Sequence, residues 1–419
     1  MSVASLTQGV INVVVSFYDA EEREKLLKFP TSSELLEIEA RGIGVPVAEF
    51  LTYYLFHRKR LGHLEYRNYA SIGMKANIAL AALDGCVEFT GQSLCTFNKS
   101  HEQLREVSEH IGEAIGLCVI GRIHKLIEAD WYPIKERRGA GALPTFDFEL
   151  ASDGDRFIQV ENKGSSVANN RLVSPAIRQH KSNIAEKKRK IETTASDSIT
   201  PSVLRYGTIA AIDPRRDGSV RCWLVDPAPD PADENPRRFR LLRRMRFLLE
   251  WISLISPRSQ LAAALATRIS DLDNLQNPFE LDGVRLLRGT GEPFSFQPTT
   301  GPHSSFMASR SRISDGPAGG IITRLNRGAL LLIGIREELL EIAADQSFEQ
   351  ISTFRFPSTT QTKTVQCVLS RARFASLGLP RSIVGEGPRG SGYMRFNLSG
   401  QIQYSSSGVV FGVLPMPSS

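Results

Sequence analysis

The chain has 419 residues, 41% of them hydrophobic and 23% charged, with a formal net charge of +6. That length calls for two or three domains, and the balance is that of an ordinary globular protein with room for large cores. The five cysteines (Cys86, Cys95, Cys118, Cys222, Cys367) are odd in number and form no CxxC pair. This excludes a disulfide framework and a zinc ribbon, and it fits a reducing, cytoplasmic setting.

The first hundred residues read as a mostly helical region without a chemical motif. "VINVVVSF" (10–17) is apolar, but no Lys or Arg precedes it, so a signal peptide is not expected. "PTSSELLEIEARG" (30–42) offers a Ser N-cap, early acids and a closing Gly, the marks of a short helix. "VAEFLTYYLFHRKR" (47–60) reads as a packed aromatic helix with a basic, solvated end. No apolar run, "ALLLIGI" at 329–335 included, is long enough for a membrane-spanning helix.

From residue 101 the pattern sharpens. Leu104, Val107, Ile111, Ala114, Ile115 and Cys118 recur at helical spacing, and the second half of that helix is apolar nearly all round. "WYPIKER", "TFDFEL" and "RFIQVENKG" follow as strands, the last two joined by an Asp-Gly turn as a hairpin. Ser174 and Pro175 start a second helix, "SPAIRQHKSNIAEKKRKIE". "RYGTIAAID" and "RCWLVDP" add two further strands. A Pro/Asp-rich break, "DPAPDPADENP", closes this part near residue 235. Beyond it come a basic helix and a Gly/Ser-rich segment with short β runs such as "MRFNLSGQIQY" and "GVVFGVLP"; residues 289–320 read as a long loop. The expected domains are therefore 1–100, 101–235 and 236–419.

On "VENKG" (160–164), Glu161 and Lys163 share one face of the strand and Asn162 takes the other. A hairpin partner carries Asp147 beside them, with Glu149 two residues on as the alternative acid. Two close carboxylates repel unless a cation sits between them, and Mg²⁺ favours one or two carboxylates with waters and phosphate oxygens. Lys163 is suited to steering a water or neutralising charge on phosphate. A plain surface strand with a cross-strand ion pair is the competing interpretation.

With the order helix, three strands, helix, strand, the residues "PTFDF" (144–148) and "VENKG" make about residues 101–230 resemble the PD-(D/E)xK, restriction-endonuclease-like nuclease superfamily. The resemblance implies an α/β (α+β) fold with an αβββαβ core, flanked by the helical N-terminal and β-containing C-terminal regions. It implies a Mg²⁺- or Mn²⁺-dependent nuclease, an endonuclease acting on DNA, in a setting such as bacterial antiviral defence or mobile elements. By the same resemblance Asp147, Glu161, the Asn162 backbone carbonyl and a first-helix Glu are metal ligands, and Lys163 is the catalytic lysine. Glu109 and Glu113 both qualify for that helix position, with Glu113 favoured by the small Ala114 and Gly116 beside it. The first motif departs from the family pattern, since Pro144 is separated from Asp147 by two residues. A catalytically inactive nucleic-acid-binding scaffold with the same fold is the runner-up.

Gln179 and His180 lie on the second helix, near the site in sequence, and read first as a solvated face. Two basic runs carry the excess charge: "KSNIAEKKRK" with Lys187, Lys188, Arg189 and Lys190, and "RRFRLLRRMR" with Arg240, Arg243, Arg244 and Arg246. In the second, Leu241, Met245, Leu248 and Leu249 take one side of the helical wheel and the arginines the other, so a basic outer face for phosphate contacts is expected. The flanking regions are candidates for binding a target, a partner protein or a second copy of the chain. "GEGPRGSG" (385–392) fits GxGxxG but leads into a β-like run, so it fails as a dinucleotide fingerprint. There is no HExxH, GxSxG or Walker A motif.

Overall fold

The computed structural model describes residues 9–57, 69–90, 93–96, 101–133, 148–167, 172, 174–193, 204–215, 218–229, 235–255, 260–275, 279, 306–307, 317–325, 328–384 and 393–416. It is a mixed α/β protein of two compact units, one of residues 1–58 and 79–240, the other of residues 59–78 and 241–419.

In the first unit β1 (Val10–Phe17) alternates buried and exposed residues, as a half-buried strand should. It is followed by α1 (Ala20–Leu26), α2 (Ser32–Arg41), β2 (Ile43–Pro46), and α3 (Val47–Thr52), which runs into a π-helical turn at Tyr53–His57. Thr31, not a serine, takes the N-cap place of α2. α4 (Tyr69–Cys86), whose residues up to 78 belong to the second unit, leads to the hairpin β3 (Val87–Thr90) and β4 (Ser93–Thr96). Then come α5 (His101–His124), β5 (Tyr132–Pro133), β6 (Phe148–Ser152), β7 (Phe157–Ser166), α6 (Pro175–Thr193), β8 (Leu204–Ile212) and β9 (Val220–Pro229).

Among the described residues these strands make one seven-stranded sheet, in the order β2-β1-β9-β8-β7-β6-β5. β5, β6 and β7 are an antiparallel meander; β8 is parallel to β7 across the α6 crossover, and β9 is antiparallel to β8. The N-terminal region therefore does not form the separate helical domain that the sequence suggests. β1 pairs in parallel with β9, and β2 pairs with β1, so both extend the sheet. A non-local pairing of this kind leaves no trace in local periodicity.

The turn between β6 and β7 closes as its sequence requires. Asp153 Oδ1 accepts from the amides of Asp155 and Arg156, and Gly154 adopts φ +101°. α5 is buried all round from Ile111 to Ile120, as its composition predicts. α6 is held by Ile177 and Ile184, which pack with Ile209, Ala211, Trp223 and Val225. Burying each isoleucine contributes about 2 kcal/mol.

α7 (Pro236–Ile255) begins in the first unit and continues into the second, so the boundary falls within a few residues of the Pro/Asp-rich break. The second unit adds α8 (Gln260–Asp273), β10 (Phe306–Met307), β11 (Pro317–Arg324), β12 (Ala329–Arg336), α9 (Glu337–Asp345), α10 (Phe348–Thr353), β13 (Thr359–Ser370), α11 (Arg371–Ser376), β14 (Tyr393–Tyr404) and β15 (Val409–Pro415). Its strands form a second sheet, ordered β10-β11-β12-β15-β14-β13, over a core that includes Leu332, Cys367, Leu398 and Val410. The stretches "MRFNLSGQIQY" and "GVVFGVLP" are strands here, while residues 385–392 and most of 289–320 lie outside the described residues.

Candidate active site

Alternation along β7 sorts its side chains between two helices. Asn162 and Gly164 face α5, which approaches so closely that a Cβ at Gly112 would overlap the Gly164 backbone. A Cβ at Gly116 would likewise overlap Asn162 Oδ1 and Thr208 Oγ1. Glu161 and Lys163 face α6 on the other side. The register pairs Glu161 with Gly207 and Lys163 with Ile209 on β8, and Ile184 of α6 stands over Gly207. Gly207 thus leaves room beside Glu161.

Glu161 is fully buried (0% exposed side chain), whereas Lys163 is 18% and Lys187 25% exposed. Both ammonium groups reach the same carboxylate oxygen: Lys163 Nζ contacts Glu161 Oε1, and Lys187 Nζ of α6 donates to it at 2.5 Å. The second oxygen, Oε2, is shielded from solvent and has no hydrogen-bond partner among the described residues. One carboxylate against two ammoniums leaves this trio at +1. The same sheet face continues with the buried pair Arg205 and Gln159, joined by a 3.2 Å hydrogen bond from Arg205 Nε. On the other face Thr208 Oγ1 donates to Asn162 Oδ1 at 2.7 Å.

His180, one turn before Ile184, stands near Lys163. Burial and the Lys163 charge hold its imidazole below the ordinary value, against the opposing pull of Glu109 and a backbone hydrogen bond to Gly164. It is therefore a neutral group beside the lysine at pH 7 rather than part of a freely solvated face. Gln179 instead donates to Asn183 along the exposed side of α6.

The two helix acids separate clearly. Glu109 is exposed and paired with Arg105 at 3.0 Å, while Glu113, next to Gly112, is 5% exposed. Glu113 lies on α5, the helix that covers the Asn162 face of β7. Asp147 lies outside the described residues. For Glu149 the register is informative: Phe148 pairs with Glu161, and Glu149 with Val160. Cross-strand partners share a face, so the position of Glu149 belongs with Val160 and Asn162, not with Glu161 and Lys163. Among the described residues no group of three or more His, Cys, Asp or Glu is arranged to hold a metal. The expected ligand set includes Asp147, which is not among them.

The basic runs also differ from expectation. Lys187 turns inward to Glu161, and Lys188 is buried at 6%; Arg189 is exposed, and Lys190 sits in the last turns of α6. On α7 Arg240, Arg243 and Arg244 do not form the expected outer face. Arg240 donates to Asp130 Oδ1 at 3.1 Å and to the Asp153 carbonyl at 2.6 Å. Arg243 is 4% exposed, 3.7 Å from Glu250. Arg244, 1% exposed, donates to the carbonyls of Ile351 and Phe354 and lies 4.6 Å over the Phe354 ring. Only Arg246 of that quartet is exposed, paired with Asp273. The wheel misleads because a guanidinium that finds carbonyl acceptors and an aromatic face is readily buried.

A second polar cluster, at the β6–β7 turn, escaped the sequence reading. The buried His124 at the end of α5 places Nδ1 3.4 Å from Asp153 Oδ2 and Nε2 3.0 Å from the Tyr206 hydroxyl. Burial lowers the His124 pKa despite the Asp153 charge, so the neutral ring donates from Nδ1 and accepts at Nε2. Burial pushes Tyr206 up to about 12. For Asp153, burial works upward, but the hydrogen bonds from His124 and the Asp155 and Arg156 amides outweigh it and leave the carboxyl below its ordinary value. The Asp of an Asp-Gly turn and a His at a helix end, 29 residues apart, give no pattern that links them in the sequence.

No family model matches the chain, and no curated protein or solved structure matches it either. The five cysteines are all buried, and none forms a disulfide. No helix among the described residues is long and apolar enough to cross a membrane.

Proposed function

We propose that the chain is a metal-dependent nuclease with a restriction-endonuclease-like core, hydrolysing phosphodiester bonds in nucleic acid, DNA foremost. The observation that carries this reading is Glu161: a carboxylate buried at 0%, bearing two lysines on one oxygen and no partner among the described residues on the other. A buried acceptor without a donor is costly in a purely structural site and is satisfied by a hard divalent cation. The element order also supports it, since α5, β5, β6, β7, α6 and β8 follow the helix, three strands, helix, strand sequence that the resemblance implies.

Glu161, with Asp147 and the Asn162 carbonyl by resemblance, would hold Mg²⁺ or Mn²⁺; Glu113, on the helix across the sheet from Glu161, does not share its face. When bound, such a cation supplies Lewis acidity and an activated water. Lys163, two residues from Glu161 and partly exposed, neutralises charge developing on the phosphate. His180, neutral beside it, is placed to accept a proton near the same point.

Purified protein should cut DNA with Mg²⁺ or Mn²⁺, and Glu161→Ala or Lys163→Ala should reduce cutting at least about a hundredfold. Equal cleavage by wild type and both variants would sink the proposal. One observation favours a second reading, an inactive nucleic-acid-binding scaffold: Lys163 and Lys187 already neutralise Glu161 without a metal. Salt-dependent DNA binding, with no cleavage under any metal and no effect of Glu161→Ala, would select it.

A further inference from the structure

Two lysines on one carboxylate oxygen are more than charge neutrality needs, and they arrive by different routes. Lys163 stands two residues from Glu161 on the same strand face. Lys187 reaches across from α6, three residues after Ile184 and seven after His180, so the inward side of that helix delivers it. Its side chain is already 25% exposed. An ammonium on a flexible four-carbon stem is strongly hydrated, so turning it outward restores water contacts at little conformational cost.

We infer that Lys187 is the displaceable counter-ion of the site: it holds the Glu161 carboxylate in the metal-free protein and turns away when a divalent cation takes that carboxylate, while Lys163 stays. The inference rests on the metal-dependent reading above and assigns to Lys187 the control of metal affinity. Lys187 and a cation compete for the same carboxylate, and an ammonium left nearby also repels a divalent charge. Both effects weaken metal binding, so removing the Lys187 charge strengthens it. A residue that merely kept Glu161 in place would act in the opposite sense.

Isothermal titration of the full chain with MnCl₂, without nucleic acid, tests this. Lys187→Gln and Lys187→Met, the second keeping the apolar stem, should each bind Mn²⁺ roughly tenfold tighter than wild type. Binding gained by a variant where wild type shows none would support the same conclusion. Unchanged or weaker binding in a variant, with wild type binding Mn²⁺, overturns the role of Lys187 and leaves the metal site standing. No Mn²⁺ binding by wild type or either variant overturns both the inference and the metal-dependent reading.

Discussion

One charged cluster lies at the β6–β7 turn and another midway along β7, and the two are built differently. At the β6–β7 turn His124, Asp153, Tyr206, Arg240 and Asp130 form a closed set. Asp153 accepts from His124 and two backbone amides, and Asp130 accepts from the Ile127 amide and from Arg240. At the α6 face Glu161 is open, with both lysines crowded on Oε1 and Oε2 without a partner among the described residues. Closed networks fix a conformation, whereas an unsatisfied buried acceptor stores a binding capacity. On the proposed reading the first cluster is scaffold and the second the site.

The comparison breaks most visibly if stability follows the wrong cluster. Arg240→Ala removes an ion-pair partner of Asp130, which is fully buried, and should cost about 3 kcal/mol in urea unfolding. Glu161→Gln should cost less than about 1 kcal/mol, because both lysines are partly exposed and rehydrate. A larger loss at Glu161 than at Arg240 would reverse the assignment of scaffold and site.

A smaller effect is expected from pH. His124 is depressed chiefly by burial, with Asp153 opposing and Arg156 reinforcing the shift. The unfolded chain therefore takes up the proton first, so stability is full above about pH 6.5 and declines as pH falls through the folded value. His180 is shifted in the same direction. His124→Gln should flatten the unfolding free energy against pH below about 6.5 more than His180→Gln does, given the deeper burial of His124. An unchanged slope in His124→Gln would show that the ring is not held neutral.

Much of the site's frame was legible because its signals are local. The Asp-Gly turn set the β6–β7 hairpin, Ser174 and Pro175 opened α6, and alternation put Glu161 and Lys163 on one face with Asn162 opposite. What stayed hidden depends on partners distant in the chain. β1 looks like any alternating strand until it pairs with β9, more than two hundred residues away. Lys187 looks like one lysine of a solvated run, although its phase with Ile177 and Ile184 points it toward the sheet. Arg243 and Arg244 fall on the polar side of a wheel, yet neighbours that a wheel does not include bury them. The sheet register that pairs Glu149 with Val160 is likewise a two-strand property.

The central claim is that Glu161 is held open for a divalent cation. An anomalous difference map from a crystal soaked in MnCl₂ tests it most directly. The account predicts a manganese peak coordinated by Glu161, with Lys187 turned away from Oε1. A crystal saturated with Mn²⁺ that shows no peak at Glu161, and both lysines still on Oε1, would contradict it.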